Sequence, residues 1–228
     1  VGAHIVSGAV IETKALDELI PDWKSKNSPL KTEAKDDKFL YLTETKSYQL
    51  PTPPQMHNKG NYIISLSDFT KWLAQQAEEL EVEIYPGFAA SEVLFDKNNK
   101  VLGVATCDMG RLKDGSEGPN FERGIELRAK QTVFSEGCRG HLGKTLMEKF
   151  ELNSNNSPQT YGIGIKELWE VTPENSKPGS IMHTTGWPLD NETYGGSFLY
   201  HLDNNRVSIG FVIGLSLIHI SEPTRPVP

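Results

Sequence analysis

Three short runs of strand character, Ala90–Phe95, Val101–Thr106 and 125–130, follow one another and constrain the fold more than any other feature of the chain. The five residues Asp96-Lys97-Asn98-Asn99-Lys100 between the first two have the composition of a hairpin connection. In the third, Ile125, Leu127 and Ala129 alternate with Glu126, Arg128 and Lys130, which is the pattern of a sheet with one wet face. A polar stretch, 110–122, is expected as a loop between the second and third runs. This meander is flanked by helix and strand signals. Upstream, Phe69, Trp72, Leu73, Ala77 and Leu80 recur at spacings of three and four and predict a helix over 67–80, with Ser67 as N-cap and Asp68 at the positive end of its dipole. Glu81 stands where a glycine ends a helix more comfortably, and a left-handed conformation there costs about 1 kcal/mol. The run 82–85 follows as a strand, stopped by Pro86-Gly87. Downstream, Thr132-Val133-Phe134 lacks alternation, as in a strand buried on both faces, and it opens into Ser135-Glu136-Gly137-Cys138-Arg139-Gly140 and a helix over 141–150. The order helix, strand, meander, buried strand, glycine turn, helix is that of an α/β fold whose small antiparallel sheet is a crossover in a mostly parallel one.

The remaining segments say less. Residues 1–11 read as a glycine-punctuated apolar loop leading to a short helix over 14–20, which Pro21 ends. Residues 24–38 read as a polar linker. In 39–56 apolar and aromatic residues accompany three prolines, which argues for a loop rather than a central strand. That loop either packs on its own domain or offers an apolar surface to a membrane or partner. Val207 to Val212 looks like a strand, and the tail 216–228 changes character abruptly after it. Its sequence, SLIHISEPTRPVP, resembles translated adapter peptides, so the tail is expected to be non-native.

Composition excludes several functions. A formal charge of -7 is unsuited to binding nucleic acid. Two cysteines, Cys107 and Cys138, make neither a disulfide framework nor a cluster-binding set, and the six scattered histidines form no metal constellation. No run of about 18 apolar residues is present to span a membrane as a helix. The strand–turn–helix around Glu136, Gly137 and Gly140 is the best candidate site, because glycines let backbone approach a ligand and a helix N-terminus presents N–H groups. Taken alone, such a turn is also an ordinary strand–helix connection.

Longer phrases are more specific. RAKQTVFSEGCRGHLGKTL resembles the second cofactor-contacting motif of glutathione-reductase-type flavoproteins. GNYIISLSDFTKWLAQQAEELEVEIYPGFAASEVLFD, PQTYGIGIKELWEV and HTTGWPLDNETYGGSFLYHLDNN are similar to the electron transfer flavoprotein–ubiquinone oxidoreductase family. The resemblance covers nearly all of 1–215. It implies a partial glutathione-reductase-type FAD-binding fold over 1–155, with the meander as crossover, and part of a mixed-sheet ubiquinone-binding domain over 156–215. It implies FAD contacts at Glu136, Gly137 and Gly140, ubiquinone contacts at Gly195 and Gly196, and peripheral membrane contact at Phe39, Leu40, Tyr41 and Leu42. No residue takes a catalytic role. The family passes electrons from reduced electron transfer flavoprotein through FAD and a [4Fe-4S] cluster to ubiquinone, at the matrix side of the mitochondrial inner membrane. The GxGxxG fingerprint and the cluster cysteines of the family are not in this sequence, so the chain alone is expected neither to hold FAD tightly nor to turn over. The alternatives are a related geranylgeranyl-type isoprenoid reductase and a non-catalytic membrane-surface module built on 39–56. His183 is read as a hydrogen-bonded surface histidine, with proton donation to a quinone as the alternative. Trp169 and Trp187 are read as core or interface anchors, and Lys166 and Glu167 as a pair on a solvated face.

Overall fold

The computed structural model describes residues 1–215 apart from Ser7, Cys138, Arg139, Asn155, Pro158 and Gln159. Expectations about Cys138, Arg139 and the tail therefore lie outside the described residues. By contacts the chain forms two units, Val1–Ile84 with Gln159–Pro228, and Tyr85–Pro158. The boundary expected near 155 falls beside one crossing between them, and the other crossing is at Ile84–Tyr85.

The first unit opens with β1 (Gly8–Ile11), where a loop was expected, and α1 (Lys14–Leu19), which Ile20 caps ahead of Pro21. Then come β2 (Thr32–Glu33), β3 (Asp36–Leu42), β4 (Ser47–Leu50), β5 (Tyr62–Ser65) and α2 (Leu66–Glu79). β1, β5 and β2 form a small sheet. β1 and β5 read as apolar runs because both faces of the sheet are covered. Ala9, Ile11 and Ile64 join Leu16, Trp23, Leu30 and Trp72 beneath the two helices. Val10 and Ile63 face the other way, toward Ala34, Ile181, Leu202 and Tyr200. The two buried indoles are satisfied: Trp23 Nε1 donates to Asp17 Oδ1 at 2.6 Å, and Trp72 Nε1 to the Lys26 carbonyl at 2.9 Å.

α2 starts one residue earlier than the sequence suggests. Its N-cap is Ser65, whose hydroxyl accepts from Asp68 N at 3.3 Å, whereas Ser67 donates its hydroxyl to the Gly2 carbonyl. Both serines suit a cap, and only the extended backbone of Ser65 decides between them. At the other end Glu81 takes the expected left-handed conformation, φ 65°.

The second unit holds β6 (Ala90–Phe95), β7 (Val101–Thr106), β8 (Met109–Arg111), β9 (Glu117–Glu122), β10 (Glu126–Arg128) and α3 (Leu142–Lys149). The meander is present in the order β10-β7-β6, all antiparallel. The polar stretch expected as a loop is instead the β8–β9 hairpin, which is long enough to pair with itself. Two other expectations fail. Residues 82–85 form no strand, and neither do Thr132, Val133 and Phe134; Val133 is 80% exposed. An apolar run becomes a strand only where another strand offers its ladder, and none among the described residues pairs with either run.

The chain then returns to the first unit with β11 (Tyr161–Glu170), β12 (Ser180–Gly186), β13 (Gly195–His201) and β14 (Arg206–Leu215). These join β3 and β4 in a six-stranded sheet ordered β11-β14-β13-β12-β3-β4, antiparallel except for β12 beside β3. The sheet is mixed, as expected for 156–215, but two of its strands come from 36–50. The loop expected at 39–56 is therefore corrected. Its prolines at 51, 53 and 54 all follow Leu50, so they stop β4 rather than forbid it, and β4 lies at the sheet edge.

Candidate functional site

The six-stranded sheet carries a groove of about 350 Å³. Strand register builds it. Phe39 of β3 is paired with His183 of β12, and His183 with Phe198 of β13, so the three stand side by side on one face. Two residues toward one end of that face, Ile181 and Tyr200 pack into the core. Two residues toward the other, Thr185, Gly196 and Val212 continue the groove, and Met56 closes one side. Phe198 lies opposite Gly210, where a Cβ would come within 2.4 Å of its ring, so glycine on β14 lets the ring lie flat. Phe198 also stacks on Tyr200, with centroids 4.6 Å apart. The result is an aromatic-walled trough whose lining also carries Thr184, Thr185, Tyr194 and Ser197, an arrangement that suits a flat ring bearing a small number of polar atoms.

Gly195 and Gly196 begin β13 at this groove. The resemblance implies ubiquinone contact at both. The geometry gives a separate reason for glycine. A Cβ on Gly196 would lie 2.1 Å from the Thr184 carbonyl oxygen, and one on Gly195 2.4 Å from that of Val212. Neighbouring strands exclude side chains here whatever the groove holds. The Gly214 N–H donates to the Tyr194 carbonyl at 2.6 Å. In the alternating ladder the Gly195 N–H then points away from β14, toward the side where the β12–β13 pairing has ended at Thr184 and Ser197.

His183 Nε2 and the Tyr200 hydroxyl are 2.9 Å apart, with their rings edge to face. Burial holds the imidazole below its ordinary pKa, against the pull of Asp37. Burial first, then Asp37, pushes Tyr200 up to about 12. Asp37 is itself engaged by Asn58, through its backbone N–H at 2.9 Å and its amide at 2.7 Å. Alternation of Phe198 with Tyr200 is the one signal in the sequence for these two rings, and Gly210 on the neighbouring strand carries none.

The four residues assigned to membrane contact are split by the period of β3. Phe39 and Tyr41 share the groove face, and Leu40 and Leu42 point to the other. Trp169 and Trp187 are both more than half exposed and are not core anchors within this chain. Lys166 and Glu167 are consecutive on β11 and so face opposite ways; Glu167 accepts from Trp169 Nε1 at 2.8 Å.

The glycine turn lies in the other unit. Glu136 folds back over the start of α3: Oε1 accepts from the N–H groups of His141 (3.2 Å) and Leu142 (3.0 Å), and Oε2 from that of Gly143 (2.6 Å). Those donors, Gly143 foremost, hold its carboxyl below the usual range. The helix N-terminus expected to offer free N–H groups is thus taken by Glu136 itself. Gly140 serves this arrangement, since a Cβ there would come within 2.8 Å of the Glu136 side chain. Gly137 adopts φ 76° in open space. For FAD the turn therefore fits as bare backbone against which a flat ring can lie, and does not fit as an anion-binding helix end. For an iron–sulfur cluster the chain does not fit, since it has two cysteines, and no group of three or more metal-ligating side chains occurs among the described residues. Among those residues, too, no helix is long and apolar enough to cross a membrane.

Comparison with solved structures defines the class. A geranylgeranyl bacteriochlorophyll reductase-like protein from Thermoplasma acidophilum aligns with 97% of this chain and 49% of its own, at a TM-score of 0.55 and 14% identity. A myxobacterial chondrochloren halogenase, described as a variant of FAD-dependent halogenases, aligns with 98% of this chain and 47% of its own, at a TM-score of 0.55 and 14% identity. The chain is a mixed α/β, sheet-rich protein with a fold shared by such enzymes; at this identity the likeness speaks for the fold alone and gives no weight to the isoprenoid reductase alternative.

Sequence comparison is narrower. Residues 161–223 match the family model described as ETF-QO, ubiquinone-binding. The mitochondrial electron transfer flavoprotein-ubiquinone oxidoreductase of Dictyostelium discoideum is 59% identical over 215 residues, 94% of this chain and 36% of that protein. Its counterpart in Bos taurus is 53% identical over 221 residues, covering 94% and 36%, and that in Pseudomonas aeruginosa 53% over 221 residues, covering 95% and 40%. Over nearly its whole length, then, the chain is similar to a section of the electron transfer flavoprotein–ubiquinone oxidoreductases, and it spans little more than a third of their length.

Proposed function

We infer that this chain is a section of an electron-transferring-flavoprotein dehydrogenase, and that its groove at Gly195 and Gly196 receives the ubiquinone head group. The observation that carries the reading is the coincidence of the ubiquinone-binding family match at 161–223 with an aromatic groove built mainly from the same strands. In the whole enzyme, electrons pass from reduced electron transfer flavoprotein through FAD and a [4Fe-4S] cluster to ubiquinone, at the matrix side of the mitochondrial inner membrane. FAD supplies two-electron acceptance with one-electron release. Within this chain Glu136, Gly137 and Gly140 form one of its contacts, Glu136 by fixing the turn and Gly137 by exposing backbone. The FAD-binding part takes in 1–155 and the ubiquinone-binding part 156–215, with β3 and β4 lending strands to the latter. Exposed Tyr41, on the strand next to the edge of that sheet, belongs to a peripheral membrane contact with Phe39, Leu40 and Leu42. The tail beyond the family match, from 224, is non-native on this reading, and cluster ligands would have to come from outside this sequence.

The test is direct binding. The chain is expected to purify without stoichiometric flavin absorbance, yet to bind ubiquinone-1 saturably in equilibrium dialysis. Val212→Trp, which fills the groove from a half-exposed position, should abolish that binding. Stoichiometric FAD on the chain alone, or ubiquinone-1 binding unaffected by Val212→Trp, refutes the assignment.

A further inference from the structure

The groove wall carries an imidazole whose hydrogen-bonding state is set by the sheet. His183 stands between Phe39 and Phe198, each its direct neighbour in register. Its Nε2 meets the Tyr200 hydroxyl at 2.9 Å, and no other hydrogen bond of either side chain is found among the described residues. Both Asp37 oxygens accept from Asn58. A phenol both donates and accepts, so the direction of this contact follows the imidazole tautomer. Where the phenol donates, Nε2 accepts and the single proton of the neutral imidazole resides on Nδ1. That tautomer leaves an N–H donor on a side chain lining the groove, whose wall also carries the hydroxyls of Thr184, Thr185, Tyr194 and Ser197.

We propose that His183 is a substrate-binding residue whose Nδ1–H donates to a carbonyl oxygen of the quinone ring, and that Tyr200 is the positioning residue that fixes the tautomer. This rests on the groove being the quinone site. The Gly195 N–H, pointing to the side where the β12–β13 pairing has ended, is a second donor to the same flat ligand. A para-quinone has two carbonyl oxygens, and two donors set its orientation in the groove where apolar contact alone leaves it free to turn.

Amide side chains separate the two nitrogens. His183→Asn keeps a donor near the Nδ1 position and gives up the Tyr200 contact. His183→Gln keeps a group near Nε2 and loses the inner donor. His183→Phe loses both. Each variant of the full chain is dialysed against ubiquinone-1, with circular dichroism confirming the fold. The expected result is His183→Asn within about two-fold of the unaltered chain, and His183→Gln and His183→Phe each weaker by about five-fold, the loss of one hydrogen bond to a neutral acceptor. If Gln binds as tightly as the unaltered chain, or Asn as weakly as Phe, the role of His183 falls while the quinone site stands. If the folded, unaltered chain binds no ubiquinone-1, the quinone site falls and this inference with it.

Discussion

Replacing Glu81 by glycine should stabilise the first unit by about 0.5–1 kcal/mol. The helix α2 ends in a complete Schellman motif. Val82 N–H donates to the Ala77 carbonyl at 3.1 Å and Glu81 N–H to the Glu78 carbonyl at 3.0 Å. Glu81 is the left-handed residue of that motif, at φ 65°, where a side chain costs roughly 1–2 kcal/mol. Glycine removes this cost and adds unfolded-state freedom worth about 0.4–1 kcal/mol, which leaves the smaller net gain. Charge contributes separately, because Glu78, Glu79 and Glu81 crowd the negative end of the helix and no basic residue lies in its last turn. Glu81→Ala removes the charge and keeps the Cβ, so the difference between the two variants isolates the backbone. All four tryptophans, at 23, 72, 169 and 187, lie in the first unit, so urea unfolding followed by their fluorescence reports on that unit. With a slope of about 2 kcal/mol/M, the glycine variant should unfold at roughly 0.3–0.5 M higher urea than the alanine variant, with unchanged slope. A glycine variant no more stable than the alanine variant would refute the reasoning.

Two further expectations concern the sheet. Ile181 is fully buried where the small sheet meets the large one, so Ile181→Ala should cost about 2–5 kcal/mol, read in the same urea experiment; a loss under 1 kcal/mol would mean the two sheets are not packed as described. The pH dependence follows from His183 and His201, both held below their ordinary pKa by burial, His201 also by Lys177. Above about pH 6.5 their rings are neutral folded or unfolded; below it the unfolded rings protonate first, so stability falls until the folded rings also charge. Thermal midpoints should drop between pH 7.5 and 5.5, and less so in His183→Phe. Tyr200, raised to about 12, acts at the alkaline end: the unfolded phenol ionises from about pH 10, and stability is lost from there until the folded phenol ionises too.

What the sequence alone determined was local. The helix with clear apolar spacing, the helix after the glycine turn, the meander strands β6 and β7 and the strained Glu81 were legible because each depends on residues within a turn or a hairpin of itself. The family likeness was legible too, since long phrases specify more than any single glycine motif. Tertiary structure decided the rest. Residues 36–42 are a strand because β12, some 140 positions later, runs parallel beside them, and Thr132 to Phe134 are not one because no described strand does the same. The Glu136 carboxylate turned out to occupy the helix end that the sequence offered to a ligand, and the His183–Tyr200 contact joined two strands through a register no local pattern contains. Helical spacing and turn chemistry are written in neighbouring residues. A sheet ladder is satisfied by whichever distant backbone arrives in register, and that is known only once the chain has folded.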